Sequence, residues 1–337
     1  MINDTCFEKL CERDVPLSNH SAYGIGGSAG YFAVPETLEE LFYILKHCRK
    51  YGLEFLVFGH GSNILFPDTP QREKVFISLK QLIDFKVNDS SLFFSAGVPL
   101  SVLALVGAVA GESKFDFTFL LPGSLGAGIY INAKCYEDQI SGIIQTVYYL
   151  DLAEKEFAIK SLKVEECEFA YKKSIFQRKP CVIVGADVTV SNLNEAVIEY
   201  SKGLLNRLRD HRANLSSLSA FYTFFSEEAA NLPDIPHKFH KISRYRNDKR
   251  HFSYPSCGSV FKNDYSVGTP MGAIIDKLNL RGRQHGGAMI SPYHGNIIIN
   301  HNHAKSGDVI ALIELVQAEV KKTYSFLPEP EVVIVEE

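Results

Sequence analysis

Apolar positions recur along this chain with two different periods, and the first clear stretch is helical. Thr37-Leu38-Glu39-Glu40 reads as a capping box, and apolar residues at 38, 41, 42 and 45 then share one face until Gly52 supplies a stop. Residues 53–58 have the density of a buried strand and run into the loop Gly59-His60-Gly61-Ser62-Asn63. Short β-type runs follow at 75–79 and 92–95, then an apolar helical stretch that begins near Pro99. Runs 143–150 and 181–190 are rich in β-branched residues and predict sheet strands, and 192–212 predicts a linker helix of mixed charge. Residues 213–250 hold Pro233, Pro236 and many charges without a sustained period, which predicts an irregular insertion or mobile loop. Beyond Tyr254, strands are expected at 288–290 and 296–300, then a helix over about 306–326 and a final strand at 332–335. The apolar side of that helix is read as Val309, Leu312, Ile313, Leu315, Val316 and Val320. The sum is an α/β (α+β) chain of three units.

Composition narrows the function classes. A chain of 337 residues with 46% hydrophobic content suits two or three domains. Its 35 basic and 39 acidic residues nearly cancel and form no long run of one sign, so no nucleic-acid partner is expected. The start, Met1-Ile2-Asn3-Asp4-Thr5-Cys6, lacks a basic region followed by an apolar run. The longest strongly apolar stretch, about 100–110, falls far short of the ~20 residues of a membrane span. A cytoplasmic protein without membrane insertion is therefore expected. Seven cysteines with no CxxC pair suit a reducing compartment.

Three glycine-rich loops are the candidate chemistry. Gly24-Ile25-Gly26-Gly27-Ser28-Ala29 satisfies the dinucleotide fingerprint in form only, because residues 31–35 after it read as a strand and not as the helix whose N-terminus would face a pyrophosphate. The loops Gly59-His60-Gly61-Ser62-Asn63 and Pro122-Gly123-Ser124-Leu125-Gly126-Ala127-Gly128 each allow close backbone approach with amides turned outward as a phosphate nest. Singly, each is more often a tight turn. Together, in adjacent units, they are suited to clamp one long diphosphate, and no lysine-bearing Walker sequence favours a triphosphate.

The order of motifs is more specific than any one of them. Pro16-Leu17 to Gly26-Gly27-Ser28-Ala29, the loop at 59–63, Pro122-Gly123-Ser124-Leu125-Gly126, Phe169-Ala170-Tyr171-Lys172-Lys173-Ser174, Tyr254-Pro255-Ser256-Cys257-Gly258-Ser259-Val260-Phe261-Lys262 and Pro330-Glu331-Val332 together resemble the UDP-N-acetylenolpyruvoylglucosamine reductase (MurB) family, over about residues 16–335. The block from Leu280-Arg281-Gly282 to Asn300 is similar too, and the Pro-Ser-x-Gly-Ser-x-Phe-Lys form resembles the subgroup without the extra tyrosine loop.

That resemblance implies an FAD-binding fold of the vanillyl-alcohol-oxidase (PCMH) type in two N-terminal α/β subdomains, plus a C-terminal substrate domain. The expected divisions are 1–78, completed by 328–337, then 79–192, and 193–327 with the insertion 213–250. It implies FAD held by Gly59, His60, Gly61, Ser62, Asn63, Ile64, Pro122, Gly123, Ser124 and Gly126, with NADPH as co-substrate and a UDP-sugar as substrate. Hydride transfer to an enolpyruvyl ether leaves negative charge beside the substrate carboxylate, so fixed donors should be aimed there. The resemblance assigns Lys172 and Glu331 to that task and Ser259 to proton delivery, with Tyr171, Asn263 and Gln284 as substrate contacts. Outside the family pattern, Ser259 would read as a turn residue, Glu331 as a solvated carboxylate and the other three as surface or capping groups.

The chain departs from the family pattern at Lys172 and Val333, where arginines are expected; Lys172 keeps the charge but not the planar fork. Arg244 or Arg246 of the insertion are possible replacements. His285, His294, His301 and His303 invite a metal, but no acidic or cysteine ligand shares a convincing spacing with them, and no metal is expected. A monomer is expected. The alternatives are a flavin oxidase or dehydrogenase of the same superfamily, or a non-catalytic homologue that binds UDP-sugars.

Overall fold

The computed structural model describes residues 6–88, 91–211, 215 and 217–336. The expectations that touch residues 1–5, the Arg212 end of the linker helix, positions 213, 214 and 216 of the insertion, and Glu337 lie outside the described residues.

The N-terminal unit is built on the helix Leu38–Tyr51; its ends fall where expected, but the capping box is only half made, since the Glu40 carboxylate accepts from the Glu36 amide at 2.7 Å and not from that of Thr37. Thr37 Oγ1 accepts from the Glu40 amide at 3.2 Å, and Gly52 closes the helix at φ 65°, a left-handed conformation that costs a β-carbon residue about 1 kcal/mol or more. The helix packs Leu41, Ile44, Leu45 and Cys48 against a four-stranded sheet. The sheet order is Cys11–Glu12, Tyr31–Ala33, Val75–Ser78 and Phe55–Phe58, with the last three parallel. The strand Tyr31–Ala33 lies where a dinucleotide fingerprint would need a helix.

The second unit is a five-stranded sheet in the order Ala158–Lys163, Ile144–Asp151, Cys181–Thr189, Ser91–Ser95 and Phe85–Asn88, antiparallel throughout. The short link at 152–157 has no room for the crossover that parallel strands require. The helix Leu100–Ala110 carries no charge and is buried on nearly every face, as expected of a helix sunk in a core.

Residues 213–250 depart from expectation: the described part is helical, with Leu218–Ala230 and His237–Asp248. Ser217 caps the first by accepting from the Ala220 amide at 3.1 Å, and Phe221, Phe224, Phe225 and Ala229 follow at helical spacing. Phe239, Ile242 and Arg246 are the buried face of the second. The signal was present, but prolines at the junction and abundant surface charge mask it. Both helices join the core of the five-stranded sheet with Val197, Leu204 and Leu208 of the helix Glu195–Asp210, and Phe119 stacks on Phe239 at 3.9 Å. Arg207 grips Glu228 with two hydrogen bonds of 2.7 Å, tying the first of them to the linker helix.

The C-terminal unit is a three-stranded antiparallel sheet, Gln284–His285, Ala288–Ile290 and Ile298–Asn300, packed on the helix Ser306–Tyr324. Its core also takes in Ala22, Tyr23, Ile25 and Leu65 from the N-terminal unit. The apolar side of the long helix is Val309, Leu312, Ile313, Val316 and Val320; Leu315 falls outside it and is exposed. The last strand, Val333–Ile334, returns to pair in parallel with Ile64–Leu65, directly behind the first phosphate-suited loop. No described helix is long and apolar enough to cross a membrane.

Candidate active site

The two glycine loops after residues 58 and 121 interlock. A Cβ on Gly59 would lie 2.2 Å from Ser124 Oγ, and one on Gly123 would lie 3.2 Å from Ser62 Oγ. Ser62 Oγ donates to the Pro122 carbonyl at 3.2 Å, and Ser78 Oγ donates to the Gly59 carbonyl at 2.8 Å. Gly61 has φ 68°, and a Cβ there would lie 2.0 Å from the His20 carbonyl oxygen. These glycines therefore let the loops approach each other and their flanks, a demand that exists before any ligand binds. Ser124 Oγ is buried and has no partner among the described residues, an orphaned polar atom in the seam between the loops.

Not every predicted residue of the cradle faces outward. His60 is tied by Nε2 to the Gly97 carbonyl at 2.9 Å, and burial pushes its pKa down to about 4, so it holds the loop in place as a neutral ring. Ile64 pairs with Val333 and belongs to the core. Beneath the loop lies a group that sequence reasoning missed: Lys80 Nζ donates to His20 Nδ1 at 2.8 Å, and burial lowers the pKa of both, that of His20 to about 4. They line a small cavity with His60, and nothing in their spacing of 60 positions announces it.

The first loop also reaches the second cluster. Asn63 Nδ2 donates to the Glu331 carbonyl at 3.0 Å, and the Asn63 carbonyl accepts from the Val333 amide at 3.0 Å. Glu331 is held on its other side by its amide, which donates to the Val260 carbonyl at 2.6 Å, next to Ser259. Its carboxylate forms an ion pair with Lys172, and both side chains are largely buried. Lys172 sits at a two-residue turn in which Ala170 and Lys173 exchange backbone hydrogen bonds of 3.1 Å, and Gln177 Nε2 donates to its carbonyl at 3.0 Å. Its φ of 56° is left-handed, a conformation that costs a lysine about 1–2 kcal/mol, and the turn aims the ammonium at Glu331.

Tyr171, the other tip residue, accepts from the Asn263 amide at 3.1 Å, and burial pushes its pKa up to about 12. The Asn263 side-chain oxygen accepts from the Met271 amide at 2.9 Å, capping the short helix Met271–Lys277. Ser259 is exposed and pairs by backbone with Ile297 at the edge of the C-terminal sheet. Gly258 is left-handed at φ 70°, and a Cβ there would meet nothing within 4 Å, so this glycine serves the turn and not a close approach. Tyr171, Lys172, Ser259, Asn263 and Glu331 thus gather around one set of backbone contacts. Gln284 does not join them by any contact among the described residues; it is exposed and faces Met289 at the far edge of the same sheet.

The comparisons with known proteins agree with this geometry. Residues 250–335 match the model of the UDP-N-acetylenolpyruvoylglucosamine reductase C-terminal domain, and residues 29–152 match that of an FAD binding domain. The reductase of Halalkalibacterium halodurans is 31% identical over 95% of this chain and 93% of its own. The chain belongs to the UDP-N-acetylenolpyruvoylglucosamine reductase family. Among other relatives, the reductase of Lachnoclostridium phytofermentans is 31% identical over 96% of this chain and 92% of its own. The crystal structure of the MurB reductase from Thermus caldophilus superposes with a TM-score of 0.66 at 24% identity, over 97% of this chain and 99% of that one, so the fold is shared along the whole length. The FAD-binding and C-terminal family segments meet where Asn63 holds Glu331.

Proposed function

We propose that this chain is an FAD-dependent, NADPH-driven reductase of the enolpyruvyl ether of UDP-N-acetylglucosamine, yielding UDP-N-acetylmuramate for peptidoglycan precursors. The observation that carries this reading is the link from the loop at 59–63 through Asn63 to Glu331 and its ion pair with Lys172. It joins a diphosphate-suited backbone to a buried charge pair.

The residues fit the cofactor. The interlocked loops leave Ser124 Oγ buried without a partner, and the cation of Lys80 lies beneath them without a carboxylate in hydrogen-bond contact among the described residues. When bound, FAD supplies the hydride for the enolpyruvyl double bond. The side chains then have two tasks. Lys172, held by Glu331, offers fixed positive charge to the carbon and carboxylate on which negative charge develops. Ser259 delivers the proton from Oγ; a hydroxyl can serve a strongly basic carbanion once the substrate has displaced water. Tyr171, Asn263 and Gln284 are the proposed sugar-nucleotide contacts. We divide the chain as 1–78 with 328–337, then 79–192, and 193–327, with the helices of 213–250 leaning on the middle unit, and we expect a cytoplasmic monomer.

Purified protein should be yellow, and it should oxidise NADPH in proportion to added enolpyruvyl sugar. Rapid reoxidation by oxygen with indifference to that sugar would sink the reading. Sedimentation of the holoenzyme as a dimer would overturn the monomer.

A further inference from the structure

Arg246 points inward from the helix His237–Asp248 and is 8% exposed. Its Nη1 faces His251 Nδ1 at 3.4 Å and its Nη2 faces Cys135 Sγ at 3.8 Å, while Nε has no partner among the described residues. Neither neighbour carries negative charge. Burial and Arg246 itself push the His251 pKa down to about 3, and burial raises the Cys135 thiol. A buried guanidinium without a counter-charge is expensive, so its retention asks for an anion.

Its surroundings say where that anion belongs. The Cys135 thiol feels three cations, Arg246, Lys172 and Lys238. Lys172 is paired with Glu331, and Lys238 with Asp138 at 2.9 Å, so Arg246 is the one of the three left unmatched among the described residues. On the other side, the His251 ring meets His294 at 5.6 Å, and His294 Nδ1 accepts from the Asn296 amide at 3.2 Å. Asn296 in turn clamps Phe261 through hydrogen bonds of 3.0 and 2.9 Å, two residues from Ser259. Arg246 is thus linked through Cys135 towards the Lys172–Glu331 pair and through His251, His294 and Asn296 to the segment that carries Ser259.

We propose that Arg246, carried in by the helical insertion, binds the carboxylate of the enolpyruvyl group and supplies the planar two-donor grip that Lys172 does not have. This rests on the reductase reading above. It favours the carboxylate over the diphosphate because the flanking residues are those assigned to the reacting end.

The test compares FAD-loaded wild type and Arg246→Gln for binding of two sugars, followed by flavin absorbance and calorimetry. One is the enolpyruvyl ether, and the other is UDP-N-acetylglucosamine, which lacks the carboxylate. Arg246→Gln should bind the ether about 30-fold more weakly and UDP-N-acetylglucosamine less than about 3-fold more weakly, as expected for loss of a charge-assisted pair. Millimolar guanidinium should restore part of the difference. Equal weakening of both sugars would assign Arg246 to the diphosphate and overturn the carboxylate assignment. Unchanged binding of both, or a lowered melting temperature with sugar preference intact, would reduce Arg246 to a packing residue and overturn it too. If Arg246→Gln fails to fold or to load FAD, Arg246→Lys carries the same comparison: the preference for the ether must shrink at least about 5-fold, since a point charge replaces the fork, and an unchanged preference overturns the proposal. Wild type that does not bind the ether at all would instead refute the reductase reading.

Discussion

The loop cradle and the charge cluster lie side by side and are built on opposite principles. The cradle is made of backbone: glycines 59, 61 and 123 let two loops and their flanks touch, and serines and a neutral histidine pin them from behind. The cluster is made of side chains borrowed from distant segments, Lys172 from a strained turn, Glu331 from near the chain end, Arg246 from a helix, and Ser259 from a sheet edge. The cradle depends first on shape, since an added methyl at Gly59 or Gly61 would lie 2.2 or 2.0 Å from its neighbour. The cluster depends on charge: Lys172 and Glu331 neutralise each other, and removal of either would leave the other buried and unpaired.

That contrast can be broken in a definite order. Ser259→Ala should lower turnover on the enolpyruvyl sugar by about 10²–10⁴-fold with little change in melting temperature, because the side chain is exposed and its loss removes a proton donor. NADPH reduction of the flavin, read by stopped-flow bleaching, should be unaffected; equal loss in both half-reactions would remove Ser259 from proton delivery. Gly61→Ala should show the reverse pattern, with stability lowered by about 3 kcal/mol or more and FAD content lost, since the new methyl meets the His20 carbonyl and the φ of 68° is left-handed. Denaturant melts of apoprotein and holoprotein measure it.

Acid should act on the cradle through two buried histidines. The pKa values of His20 and His60 are near 4 when folded and near 6.5 when unfolded, so between those values the unfolded chain binds more protons. Stability is then fully present above pH 6.5 and falls as pH drops towards 4, by up to about 1.4 kcal/mol per pH unit for each histidine. His60→Gln should flatten the dependence of melting temperature on pH in that window; an unchanged slope would show that His60 binds protons equally in the folded and unfolded chains, against its lowered folded pKa. The smallest effect is expected at Leu315→Gln, within about 0.5 kcal/mol, because this residue is exposed on the long helix.

Much of the fold was legible because local chemistry dictated it. Thr37 and Gly52 bound their helix as read, and the runs at 143–150 and 181–190 formed the strands that their β-branched density indicated. The insertion was illegible for a different reason: its apolar positions are sound at helical spacing, but Phe221, Phe225 and Phe239 make sense only against a core supplied by the five-stranded sheet. Leu315 failed in the opposite direction, apolar and near the seam yet turned to solvent.

The chain's order of motifs by itself indicated the family to which the chain belongs, and it singled out the two glycine loops and Ser259, Lys172 and Glu331 as candidates, because turn chemistry and charge are local properties. Only the tertiary structure decided that Asn63 holds Glu331, that Lys80 lies against His20, and that Arg246 is buried against Cys135 without a counter-charge among the described residues. Each of those depends on segments separated by tens to hundreds of residues, and no periodicity in the chain encodes which distant charge a buried side chain will meet.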